Sequence, residues 1–200
     1  MNQDLPDSIS EETPKAGIEI GVMGSARLGE DDPRWSQAHT LGRLLAQEGY
    51  TVVTGGYGGL MAAVSRGAHE VGGRVIGLPM QHWENVAPNR WNAHLRWSSD
   101  YGTRLNHVLR CDGVIALPGG IGTLSEMSLT WAASQTEGRP LPLVLLGDCW
   151  HPLIQTIREH LIVGDADLQL LCFADTPEEA LREMQEGLGD SKWQGRGPYG

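Results

Sequence analysis

No stretch of this sequence is long and apolar enough to span a membrane, and its start shows no basic segment leading into an apolar one. No membrane partner is therefore expected, and a cytoplasmic location is. Positive charge is scarce: 15 Lys and Arg against 25 Asp and Glu leave a net charge of −10. That balance argues against a nucleic-acid partner, because phosphate backbones need Lys and Arg. It leaves small anions open, since backbone N–H groups can hold a phosphate inside an acidic protein. Lysine is almost missing from the body of the chain, so an amino-acid decarboxylase lacks its Schiff-base candidate. The seven histidines form no HxH, HxxxH or His/Cys cluster, and no metal or other cofactor is expected. The three cysteines, Cys111, Cys149 and Cys172, lack CxxC spacing and sit in or beside apolar runs. They read as buried free thiols in a reducing compartment. Ser25 and Ser125 lack a GxSxG context, which removes serine hydrolase chemistry. GxxxxGK[ST] is absent as well.

What the chain has in excess is glycine, 27 residues gathered at the ends of apolar runs. The runs alternate with helical patterns. Ile18–Met23, Tyr50–Thr54, Val75–Leu78, Gly113–Leu117, Leu141–Leu146 and Leu170–Phe173 read as buried strands. Asp32-Pro33 opens a helix to Glu48, with Asp as cap, Pro at the first position and Gly49 as stop. Further helices are expected over Leu60–Val71, Asp100–Arg110, the stretch to about Gln135, and Trp150–Leu161. A last one opens at Thr176-Pro177, where Glu179 can complete a capping box. Near-continuous apolar strands separated by helices predict a Rossmann-like, doubly wound parallel α/β sheet in one domain. Residues 1–16 read as a disordered leader, 17–187 as the nucleotide-binding domain and 188–200 as a flexible tail. Met80–Ser99, with Trp83, Trp91 and Trp97, is too irregular for a helix. It is either a surface excursion packed on the domain or a second subunit, or a cover for substrate.

Ligands of such sheets bind at the carboxyl ends of the strands, where three glycine loops fall. The strongest is Pro118-Gly-Gly-Ile-Gly-Thr123. Gly119, Gly120 and Gly122 bare the backbone N–H groups. The helix that follows adds its partial positive charge, and Thr123 a hydroxyl. A phosphate is the natural guest. The second loop brings Thr54, Gly55, Gly56, Gly58 and Gly59, with Leu60 and Met61 opening its helix; the first brings Gly24 and Ser25. The first loop lacks GxGxxG spacing, and the second strand ends without the acidic residue that holds a ribose, which disfavours a dinucleotide oxidoreductase. Glu126 stands three residues after Thr123. It either caps its own helix or acts on a sugar one turn from the phosphate. Arg104 is either a surface ion pair or a substrate clamp.

PGGIGTLSE resembles the PGGxGTxxE hallmark of the LOG ("Lonely Guy") family, whose members are often mislabelled lysine decarboxylases. GVMGSAR, TGGYGGLMAAVSRGA, Trp131 to Gln135, Arg139-Pro140, Trp150-His151-Pro152-Leu153 and DTPEEAL follow the family pattern too, so the likeness covers about Gly17 to Met184. The resemblance implies a Rossmann-like fold, a homodimer or higher homo-oligomer, and hydrolysis of the N-glycosidic bond of a nucleoside 5′-monophosphate. AMP or a cytokinin riboside monophosphate would give free base and ribose 5-phosphate. By position, Glu126 matches the catalytic glutamate, and Gly119, Gly120, Gly122 and Thr123 the phosphate loop; Arg104 is the candidate catalytic partner. The segment Thr103-Arg-Leu-Asn-His107 departs from the family's Arg-Lys pair, with Leu105 where Lys would stand. That departure motivates the alternative, a non-catalytic carrier of a phosphorylated ligand such as a nucleotide or a molybdenum-cofactor-like molecule.

Overall fold

The structure is a computed structural model that describes residues 17–83, 86–136 and 141–189. The leader, and the tail from residue 190 on, lie outside the described residues. The elements run β1 (Glu19–Met23), α1 (Pro33–Gln47), β2 (Thr51–Thr54), α2 (Leu60–Glu70), β3 (Val75–Gly77), β4 (His94–Leu95), α3 (Tyr101–Leu109), β5 (Gly113–Ala116), α4 (Ile121–Thr136), β6 (Leu143–Leu146), α5 (Trp150–His160), α6 (Asp165–Leu168), β7 (Cys172–Ala174) and α7 (Pro177–Gly189). The seven strands form one parallel sheet in the order β4-β3-β2-β1-β5-β6-β7. The alternation of apolar runs and helices thus yields the doubly wound α/β sheet expected.

Strand side chains alternate between faces, so each strand feeds two cores. Ile20 and Val22 of β1 join α1, α2 and α7 on one side through Leu41, Leu45, Val64, Ala180 and Met184. Met23, Val53 and Val114 face α3, α4 and α5 on the other, through Val108, Met127, Trp150 and Ile154. Strands buried on both faces have no polar side to show, which is why they read as unbroken apolar runs.

Local signals held at the helix ends. The Asp32 carboxylate accepts from the N–H of Arg34 at 3.0 Å, and Gly49 ends α1 with φ +79°. At α7 the Thr176 hydroxyl accepts from the N–H of Glu179 at 3.2 Å. The Glu179 carboxylate, however, accepts from Asp175 rather than from Thr176, one residue earlier than the expected box.

Three features differ from expectation. Parts of the Met80–Ser99 segment return to the sheet: β4 pairs with β3, and Met80 bridges Ser98. Trp91 packs on α2, 5.5 Å from the His69 ring, with the Arg90 guanidinium 4.2 Å from its centroid. A two-residue edge strand is too short to show a period in sequence. The short α6, unforeseen, fills the α5–β7 connection. Of the cysteines expected to be buried only Cys111 is; Cys172 is half-buried and Cys149 is exposed just before α5.

The crossing of α1 and α2 is unusually close. A Cβ placed on Gly42 would collide with the Val64 carbonyl, and one on Gly67 with the His39 carbonyl. Alanine is the better helix former by about 1 kcal/mol. On an open face Gly67→Ala would therefore stabilise. Here the added methyl meets rigid backbone, and overpacking of that kind costs about 1–3 kcal/mol beyond any such gain. Gly67→Ala is expected to lower unfolding free energy by about 2 kcal/mol. Urea denaturation measures it, and an unchanged midpoint would contradict the close crossing.

Candidate active site

The chain leaves β1 toward β2 on one side and returns to it as β5 on the other. The switch point therefore lies between the carboxyl ends of β1 and β5. The three glycine loops meet there. The Ser25 N–H donates to the Pro118 carbonyl at 3.1 Å, and the Ser25 carbonyl accepts from Leu60 N–H at 2.8 Å. The first loop is thus the spacer between the other two. Gly24 lets this happen: a Cβ there would press on Leu60 and Leu117.

In the third loop, Gly119, Gly120 and Gly122 are exposed and Pro118 is half-buried. Nothing lies within 4 Å of a Cβ built on Gly120 or Gly122, whereas one on Gly119 would collide with the Thr123 side chain. The loop is open where an anion would approach, and the positive end of α4 points into it. A cavity of about 540 Å³ that also borders Pro118 is lined by Asp32, Arg34, Asp148 and Asp175, a net negative lining less suited to a phosphoryl group than the bare glycine loop.

Thr123 lies inside α4, which begins at Ile121, so it is not the helix cap. Glu126 is correspondingly not the second half of a capping box. It lies one turn further along, 4% exposed, and its carboxylate accepts from Arg104 Nη2 at 3.1 Å. Burial pushes its carboxyl above the ordinary glutamate range, and the charge and hydrogen bond of Arg104 pull the other way.

Arg104 is itself buried, 5% exposed. Its Nη1 donates to the Leu78 carbonyl and, at 3.3 Å, to the Gly55 carbonyl. One guanidinium thus ties the ends of β2 and β3 to α4. The start of α3 fixes its origin: the Asp100 carboxylate accepts from the N–H and hydroxyl of Thr103, each at 2.8 Å. Those bonds, the backbone one foremost, lower the Asp100 carboxyl to about 2. Arg104 and Val108 then form the buried stripe of α3, while Leu105 is half-buried beside them.

The second loop is placed less openly than its sequence suggests. Thr54 is fully buried, its hydroxyl accepting from Gly56 N–H at 3.0 Å and lying 3.3 Å from Ser65 Oγ. Gly55 and Gly56 are buried, Leu60 belongs to the core and Met61 is 6% exposed. Only Gly58 is exposed, and Gly59 half-buried. The role of Gly55 is steric: a Cβ there would lie 2.5 Å from Arg104 Nη2. The structure therefore gathers Gly24, Ser25, Gly58, Gly59 and Pro118 to Thr123 around the opening, and Arg104 with Glu126 beside it. Thr54, Leu60 and Met61 stand behind the wall.

Of the residues that brace this wall, sequence singled out Trp83 but passed over Tyr57, Asn89 and Asn92. The Gly56 carbonyl accepts from Asn89 N–H at 2.7 Å and Asn92 Nδ2 at 3.0 Å, and the Tyr57 carbonyl accepts from Asn89 Nδ2 at 2.8 Å. The Tyr57 ring is buried; its hydroxyl accepts from Met80 N–H at 2.7 Å, and Trp83 stacks on it with centroids 5.2 Å apart. The signals available were the tryptophans of Met80–Ser99 and Tyr57 itself, a single large ring inside TGGYGG.

The profile of the SLOG cluster4 family matches residues 17–180. The cytokinin riboside 5′-monophosphate phosphoribohydrolase LOG4 of Arabidopsis thaliana is 30% identical over 176 residues, 84% of this chain and 81% of that protein. The rice (Oryza sativa subsp. japonica) cytokinin riboside 5′-monophosphate phosphoribohydrolase LOG is 30% identical over 155 residues. That alignment takes in 73% of this chain and 64% of the rice protein, just under two thirds of its length. Among solved structures, the molybdenum cofactor binding protein of Rippkaea orientalis superposes with a TM-score of 0.68 at 26% identity, covering 86% of this chain and 97% of that one.

Proposed function

The chain belongs to the SLOG cluster4 family, and from that premise we propose that it hydrolyses the N-glycosidic bond of a nucleoside 5′-monophosphate. The substrate is of the AMP or cytokinin riboside monophosphate type, and the products are the free base and ribose 5-phosphate. One observation carries this reading. A buried carboxylate, Glu126, is held by a buried guanidinium, Arg104, one helical turn behind an open glycine loop.

The 5′-phosphate sits on the bare N–H groups of Gly119 to Thr123 and on the positive end of α4. Six residues of helix separate Gly120 from Glu126, a rise of about 9 Å. The sugar bound behind the phosphate therefore lies over the carboxylate. As the bond to the base breaks, the ribose carbon gains positive charge, which the Glu126 carboxylate stabilises. The same carboxylate orients a water, whose oxygen bonds to that carbon while its proton leaves for the base. Arg104 holds the carboxylate at one fixed angle. The relatives' phosphoribohydrolase activity supports the reading, and so does a carboxylate buried with its counter-charge one turn along the helix that the open loop begins.

A second reading rests on two observations: the likeness to a molybdenum cofactor binding protein and Leu105 in place of a family lysine. There the same loops hold an intact phosphorylated ligand. Incubating the full chain with AMP and isopentenyl-AMP, with chromatography of the products, separates the two. Free base and ribose 5-phosphate are expected. Tight binding without cleavage over hours would establish the carrier instead, and neither binding nor cleavage would refute both.

A further inference from the structure

We propose that Trp83 is the base-recognition residue of this site, an indole platform on which the nucleobase stacks. The inference rests on the nucleotide reading above. Trp83 lies outside every glycine loop, yet the structure carries it to the pair that would do the chemistry. The Arg104 guanidinium, bonded to Glu126, lies 6.0 Å from the Trp83 ring centroid and 6.0 Å from that of Tyr57. Arg104 thus joins the carboxylate on one side to an aromatic pair on the other.

The two rings are unlike in their surroundings. Tyr57 is 3% exposed and fixed by its bond from Met80 N–H. Trp83 is stacked on it with an interplanar angle of 28° and is 47% exposed. The Trp83 N–H reaches the Met80 carbonyl at 3.4 Å, so the indole rises from a short turn anchored on the strand edge. Trp83 turns one face to a buried, immobilised ring and leaves much of its surface to solvent beside a buried ionic pair. The substrate has a single aromatic part, its base, joined to the sugar at the atom that faces Glu126. With phosphate held at the glycine loop and the sugar at Glu126, the base extends away from the loop, toward the aromatic pair. Stacking needs no donor or acceptor pattern, so this platform recognises a planar base and tolerates modification of its edge.

The test uses the full chain and two ligands, by calorimetry: a carbocyclic AMP analogue, which cannot be cleaved, and ribose 5-phosphate. Trp83→Ala is expected to weaken the analogue about tenfold, as loss of one stacked base does, and to leave ribose 5-phosphate within about twofold. Trp83→Phe, which keeps a ring, should restore most of the loss. The wild-type protein bound to the analogue should also show quenched indole emission that Trp83→Phe lacks. Equal weakening of both ligands in Trp83→Ala would show a merely structural role and overturn the inference. Unchanged binding of the analogue would overturn it too, with the nucleotide reading intact. Failure of the wild-type protein to bind either ligand would refute that reading and this one together.

Discussion

Glu126→Gln is expected to lower the turnover of AMP about a thousandfold, the scale of losing a positioned acid–base group. The amide keeps the shape of the carboxylate and can still accept from Arg104, so folding should persist while the charge is gone. What disappears is the negative group facing the sugar as its bond to the base breaks. Measuring kcat and KM together makes the test sharp: kcat should collapse while KM stays near its original value, because the phosphate loop does the binding. Turnover within tenfold of wild type would remove Glu126 from the chemistry.

The pH profile gives a second reading of the same group. Burial raises the Glu126 carboxyl from its ordinary 4.5, with Arg104 opposing. If the ionised form is the active one, kcat/KM climbs as pH rises through that elevated value and then levels off. Its acid limb lies above that of an ordinary glutamate. The stability linkage runs in the opposite direction. The folded state holds this proton more tightly than the unfolded chain does. The contribution is therefore fully present below the unfolded value and is lost as pH rises through the folded one.

The largest expected loss of stability comes from Arg104→Met. Methionine roughly fills the volume but leaves Glu126 buried without its counter-charge. The carbonyls of Leu78 and Gly55 also lose a donor. Removing one partner of a buried ion pair costs about 3–5 kcal/mol. The same reasoning makes the double variant informative. Arg104→Met with Glu126→Leu replaces both charges by apolar groups, and buried pairs so replaced are often neutral in stability. It should recover most of the loss while remaining inactive. Urea unfolding of the two variants at neutral pH measures this, and an Arg104→Met protein as stable as wild type would show that the pair is not coupled. Arg104→Lys is not a rescue, because an ammonium has no planar fork to span two carbonyls and a carboxylate at once.

The strand runs and helix ends were legible because their causes are local. Asp32-Pro33, Gly49 and Thr176-Pro177 act within a few residues, through caps and a left-handed backbone. The loop at Pro118–Thr123 was legible as a strand-to-helix passage for the same reason: bare glycines at a strand end before a helix need no distant neighbour. The site was less legible where a residue's meaning depends on what packs against it. Thr54 looks like a phosphate ligand in sequence and is a fully buried brace in the fold. The Thr123–Glu126 spacing looks like a capping box, until the start of α4 at Ile121 places Thr123 inside the helix.

Sequence alone therefore set the parallel sheet and the glycine loops at its strand ends, all products of short-range periodicity, turn chemistry and capping. The fold decided the rest. It joined Arg104 to Glu126 across 22 residues of chain and laid Trp83 beside them. It also pressed α1 on α2 at Gly42 and Gly67. Those outcomes depend on the rotation of each helix about its axis and the path of each long connection. Both are fixed only when distant elements pack, since no local interaction distinguishes one rotation from another.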